Sequence, residues 1–162
     1  MMNVTATGTG GTNNYGVYNY DSSSPSMMNV TVTATGGTNN NYAVVNSTSS
    51  SPSMTNVTAT ATGGTYSYAV YNYSSSSPSM SNVTATATGG TNNSGVSNNL
   101  SSSPAVRSSS FTGDDYSIYN SGSSSAQVAD TMLDGTVDAG DGLTCVGAYT
   151  ETFSALGVTC AP

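Results

Sequence analysis

The chain has 162 residues, enough for one domain of ordinary size, and its eight acids stand against a single base, Arg107, with no Lys or His. Nothing in it can neutralise a phosphate backbone or an anionic lipid surface, so nucleic acid and charged membranes are excluded as partners. The missing His removes the commonest general base and metal ligand.

Charged residues are 6% of the chain, against ~25% in a typical soluble domain. Ser, Thr and Asn take their place, so the case for order rests on pattern. The pattern is an internal repeat. Asn-Val-Thr recurs at Asn3, Asn29, Asn56 and Asn82, each followed by a Gly-Gly-Thr ending at Thr12, Thr38, Thr65 and Thr91. A Tyr15-Gly-Val-Tyr-Asn segment comes next, repeated from Tyr42, from Tyr68, in eroded form from Ser94, and once more from Tyr116. Serine runs closed by Pro25, Pro52, Pro78 and Pro104 complete each unit of 26–27 residues.

Within a unit the apolar positions alternate as in a strand, with no helical stripe. In Asn56 to Thr62, Val57, Ala59 and Ala61 face one way and Thr58, Thr60 and Thr62 the other. Met54 and Val70 supply two further inward positions, and the Gly-Gly-Thr and serine-proline segments are turn chemistry. Three short strands and three turns per unit describe one rung of a β-solenoid, whose few apolar residues are buried only when rungs stack. The expected core stacks are Val17, Val44, Val70, Val96 and Ile118; Val4, Val30, Val57 and Val83; and Met27, Met54, Met80 and Val106. Asn3, Asn29, Asn56 and Asn82, and separately Asn19, Asn46, Asn72, Asn98 and Asn120, are placed to hydrogen-bond from rung to rung. Stacked charges would lie ~4.8 Å apart, which explains their scarcity through residue 106.

These units resemble bacterial right-handed parallel β-helix repeats of the pectin-lyase-like class, and the ending from Ser123 to Cys160 resembles the terminal segment of such proteins. The resemblance implies an all-β fold, a right-handed parallel β-helix of about six rungs. Clear rungs run to about residue 104, decayed rungs fill 105–135, and 136–162 form a C-terminal cap. Carbohydrate-cleaving members of the class use clustered Asp residues, usually with a Lys or Arg and sometimes with calcium. Here the one adjacent acidic pair is Asp114-Asp115 beside Gly113, where a turn accounts for it equally well. Asp130, Asp134, Asp138 and Asp141, interspersed with Gly135, Gly140 and Gly142, do not match a calcium loop. Serine is plentiful but has no partner base. No catalytic residue, cofactor or metal is expected.

Cys145 and Cys160 read as one disulfide clasping the cap, since two Cys without His make a poor zinc site. At the other end, Met1 to Thr5 copies Met27 to Thr31, so the chain begins inside a rung. The reading is the C-terminal part of a longer exported protein, extracellular or on a cell surface, its signal peptide upstream. The alternative is end-to-end self-association through the uncapped first rung. No segment reaches the ~20 apolar residues of a membrane helix.

Two functions follow. The first is a non-catalytic scaffold or adhesin, with Tyr18, Tyr20, Tyr71 and Tyr73 offering amphipathic rings to a glycan or protein. The second is ice binding by an outward array of Thr5, Thr7 and Thr9; Thr31, Thr33 and Thr35; Thr58, Thr60 and Thr62; and Thr84, Thr86 and Thr88. A polysaccharide lyase or hydrolase ranks behind both.

Overall fold

The computed structural model describes residues 1–138 and 142–161. Among these the protein is all β, without a helix: a parallel β-solenoid of about five turns. This is close to the about six rungs of the sequence reading. Toward the C-terminal end the repeat contracts from 26 or 27 residues to 22 between Asn98 and Asn120, and most strands become short.

Each full turn contributes one long strand and one shorter one. The long series begins with the five-residue β1 (Thr5–Thr9) and continues as β3 (Ser26–Thr35), β5 (Ser53–Thr62) and β7 (Ser79–Thr88), ten residues each. The shorter ones are β2 (Asn13–Asn19), β4 (Asn40–Ser47), β6 (Tyr66–Tyr73) and β8 (Asn92–Asn99). Then come β9 (Ala105–Arg107), β10 (Ser110–Asn120), β11 (Ala126–Ala129), β12 (Met132–Asp138), β13 (Leu143–Val146) and β14 (Tyr149–Thr150). Long strands pair in parallel with long, short with short, and β10 joins both series, its first half against β7 and its second against β8.

The register follows the repeat. Val17, Val44, Val70, Val96 and Ile118 stack, as do Met27, Met54, Met80 and Val106, the latter extended by Val128 and Cys145. Val30, Val57 and Val83 form the third column, with Val4 partly buried at its end. Ala59 and Ala61 are inside and Thr58, Thr60 and Thr62 outside or half-buried, as the alternation demands.

Each long strand bends at its Asn. Asn3, Asn29, Asn56 and Asn82 have φ of 52–54°, the left-handed region that Asn enters at lower cost than other L residues with larger side chains. Their amides form an exposed ladder: Asn29 donates to Asn3 at 3.1 Å, Asn56 to Asn29 at 3.0 Å and Asn82 to Asn56 at 2.8 Å. Ser108 and Asp130, both at φ 47°, take over this bend in the later turns. The second ladder is buried and runs the other way along the solenoid. Asn19, Asn46, Asn72 and Asn98 each donate Nδ2 to the Oδ1 of the next, ending at Asn120, over 2.8–2.9 Å.

The core is thin, and its two sides are matched in volume. A Cβ on Gly16 would run into the Val32 side chain, and one on Gly95 would lie 2.8 Å from the Ser117 carbonyl and 3.1 Å from the Thr112 backbone. The repeat places Ala43 and Ala69 at the positions of these glycines, with Ala59 and Ala85 at those of Val32 and Phe111. Val32 on one sheet thus meets Gly16 on the other, the match of volumes that close packing requires.

Parallel pairing continues past residue 136: β13 lies against β11, and β14 against β12. Residues 151–161 then turn back across the end. Cys145 N donates to Val158 O at 2.8 Å and Leu156 N to Ala148 O at 2.9 Å. Cys145 and Cys160 are bonded, their Cα atoms 5.2 Å apart, and both are buried.

Candidate binding faces

The outer faces of the long and short strands differ in chemistry. On the long strands Thr5, Thr31, Thr58 and Thr84 align, as do Thr7, Thr33, Thr60 and Thr86, and Thr9, Thr35, Thr62 and Thr88. With ~4.8 Å between rungs and ~6.7 Å between alternate residues, the array covers about 14 by 13 Å. Ser110 and Thr112 extend two of its columns onto a fifth rung. The strand alternation that faces Val and Ala inward leaves Thr outward, where β-branching and stacking against its own kind suit it.

The short strands carry the aromatics. Ten of the eleven tyrosines stand on β2, β4, β6, the second half of β10 or the residue after β2: Tyr15, Tyr18, Tyr20, Tyr42, Tyr66, Tyr68, Tyr71, Tyr73, Tyr116 and Tyr119. Tyr15, Tyr42, Tyr68, Ser94 and Tyr116 share one column; Tyr18, Val45, Tyr71, Ser97 and Tyr119 share the next. Eight of the rings form a connected sheet, and Tyr116 and Tyr119 form a separate pair. Tyr42 and Tyr68 stack with centroids 5.0 Å apart and planes 5° from parallel, and Tyr71 leans on both at 5.2 and 5.4 Å. Tyr15 meets Tyr18 at 5.5 Å, and Tyr71 meets Tyr73 at 5.6 Å.

At two of the positions where a column lacks its ring, the face is recessed. One hollow of about 300 Å³ lies over Val45 and Ser47, walled by Tyr15, Tyr18, Tyr42, Tyr71 and Tyr73. A second, about 230 Å³, lies over Ser94 and Asn92 between Tyr66, Tyr68, Tyr116 and Tyr119. Burial raises the phenol pKa of Tyr42 and of Tyr68, with neighbouring phenols adding to it; that of Tyr71 is pushed up to about 12, again chiefly by burial. These hydroxyls remain protonated at neutral pH and can both donate and accept hydrogen bonds.

Tyr18, Tyr20, Tyr71 and Tyr73, named from the sequence, all belong to this face. Tyr15, Tyr42, Tyr66, Tyr68, Tyr116 and Tyr119 were missed there. Strict alternation puts Tyr15 with Val17 and opposite Tyr18. In the structure the strand bends so that consecutive residues, Ala43 and Val44 in β4, are both buried while Tyr42 stays partly exposed. The recurring Tyr-x-Val-Tyr-Asn motif was the available signal.

The acidic candidates are spread out. Asp114 accepts from Gly89 N at 2.8 Å, and Asp115 from Asn93 N at 2.7 Å and its Nδ2 at 3.0 Å, so the two carboxylates hold successive parts of the neighbouring turn. Arg107 is on β9, away from both in the chain's course around the coil. Asp130 sits at the left-handed bend, Asp134 in register with Thr112 and Asp138 with Tyr119; Asp141 and Gly140 lie outside the described residues. Among the described residues no three His, Cys, Asp or Glu side chains gather as a metal-binding group.

Comparison with protein-family models, with curated proteins and with solved structures finds no match.

Proposed function

We propose that this chain is a non-catalytic binding segment of an extracellular or cell-surface scaffold or adhesin, with the tyrosine face as its contact surface. One observation carries the reading: ten of eleven tyrosines are gathered on one side of the coil, several of them more than a third exposed. Isolated exposed aromatics need no explanation, but a contiguous patch of this kind marks an interaction site. Tyr presents a flat apolar ring and a hydroxyl at low entropic cost, which suits the apolar faces and equatorial hydroxyls of a glycan. The hollow over Val45 is open to one sugar ring with Tyr42 and Tyr71 as its walls. We place the chain among right-handed β-helix repeat proteins of the pectin-lyase-like class on its repeat pattern, without their cleavage chemistry, because Asp114 and Asp115 are engaged in holding backbone. Cys145–Cys160 fits an oxidising, exported setting.

The test is binding to a panel of immobilised neutral polysaccharides. The wild type binds at least one of them, and a Tyr42→Ser/Tyr71→Ser double variant loses that binding while keeping its circular dichroism spectrum. Equal binding by both proteins would remove the tyrosine face from consideration.

A second reading, ice binding, is favoured by the register of the threonine array, four rungs by three columns without an interruption. It predicts thermal hysteresis and ice-recrystallisation inhibition in the wild type, abolished by Thr60→Tyr at the array's centre. Hysteresis equal to that of an inert protein control would end it.

A further inference from the structure

We propose that the recess over Ser94 is a binding site for a quaternary ammonium group, held between Tyr68 and Tyr116. It rests on the tyrosine face being the contact surface and adds a ligand class at a second position on it. The column Tyr15, Tyr42, Tyr68, Ser94, Tyr116 has a ring in every rung but one. Where no ring is missing, successive rings touch: Tyr42 and Tyr68 stack at 5.0 Å, and Tyr15 meets Tyr42 tilted at 5.8 Å. Across Ser94 the flanking positions are two strand spacings apart, ~9.6 Å. Ser94 is almost fully buried, so what stays open above it is a slot of about 230 Å³ among the rings of Tyr66, Tyr68, Tyr116 and Tyr119.

A compact, near-spherical trimethylammonium group suits a recess of this volume, because tyrosine rings surround it on several sides and a cation–π contact reaches ~6 Å. Tyr66 and Tyr119 close the sides and Asn92 the rim. The cation needs no hydrogen-bond acceptor, which matters because Ser94 at the floor is almost fully buried.

The charge of the surroundings selects a cation over a neutral guest. Asp115 precedes Tyr116 in β10, and its carboxylate accepts from the backbone N and Nδ2 of Asn93, the residue before Ser94. The chain carries a formal charge of −7, and Arg107, its sole Lys or Arg, is on β9, off this face. No side-chain cation of the protein competes for the slot.

The experiment is a calorimetric titration of the whole chain with choline and, in parallel, with its neutral all-carbon isostere. Choline is expected to bind, the isostere about tenfold more weakly or not at all. Asp115→Asn should weaken choline severalfold. S94Y restores the residue that the repeat already accommodates at four equivalent positions, fills the slot and should abolish binding. Should S94Y fail to fold, Tyr116→Ser removes one wall and must weaken choline at least fivefold. No heat with choline, equal affinity for choline and isostere, or unchanged binding in the folded variants would each overturn the proposal. Polysaccharide binding that survives while choline fails would leave the tyrosine face standing and remove this ligand alone.

Discussion

Removing one amide from the middle of the buried asparagine ladder should cost far more than removing one from the exposed ladder. Asn72 is fully buried; it accepts from Asn46 Nδ2 at 2.9 Å and donates to Asn98 Oδ1 at 2.8 Å. Asn72→Ala deletes both bonds and leaves one donor and one acceptor without water or partner. At ~1–3 kcal/mol for each orphaned group, the expected loss is about 2–6 kcal/mol. Asn120, at the ladder's end, accepts from Asn98, and its own Nδ2 has no partner among the described residues. Asn120→Ala orphans only one group, so its cost should be roughly half. In the exposed ladder, Asn56→Gly gives up its two amide bonds where water can replace them, and Gly accepts the φ of 52° without strain. Its cost should stay within about 1 kcal/mol. Urea unfolding followed by circular dichroism measures all three. If Asn72→Ala proves as mild as Asn56→Gly, the buried ladder does not carry the stability assigned to it.

Three more expectations can be checked on the same material. Free-thiol labelling of the folded, unreduced protein should find none, and Cys160→Ser should lose ~3 kcal/mol, the loop-closure value for a bridge of this separation. Gly16→Ala pushes a methyl into the Val32 side chain and should cost ~1–3 kcal/mol in urea unfolding. In a Val32→Ala background the same change should be milder, and additive costs would refute the volume matching. Tyr42, Tyr68 and Tyr71 keep their protons in the native state above about pH 10, where an unfolded Tyr loses its own. The native state then binds more protons than the unfolded one, so stability should be flat below about pH 9 and fall as pH rises through 10. A urea midpoint unchanged between about pH 9 and pH 11 would contradict the burial of these rings.

Most of the fold was legible because tandem repetition makes neighbouring positions in space identical in sequence. Val57 had to lie over Val30, and Met54 over Met27, once the period was found. Both asparagine ladders followed from the same period. What repetition does not encode is where the repeat contracts: the step from Asn98 to Asn120 is 22 residues, against 26 from Asn72 to Asn98. Nor does it reveal bends inside a strand. The threonine array was readable because its strands alternate cleanly beyond the Asn bend. The tyrosine face was half-read because the consecutive inward residues of β4 break period two and bring Tyr42 onto the same side as Tyr71. The two recesses depend on which copies lost a ring, Val45 and Ser94, and that is visible only when the copies are laid in register.

The central claim is that the tyrosine face makes the contact. Its most direct test is nuclear magnetic resonance of the protein labelled in its tyrosine rings, titrated with a polysaccharide fragment that binds. Tyr149 sits on β14, off the face, and serves as an internal control. The account predicts that the ring signals of Tyr15, Tyr18, Tyr42, Tyr71 and Tyr73 shift together while Tyr149 stays fixed. Binding that leaves those five unmoved, or moves Tyr149 as far, would contradict it.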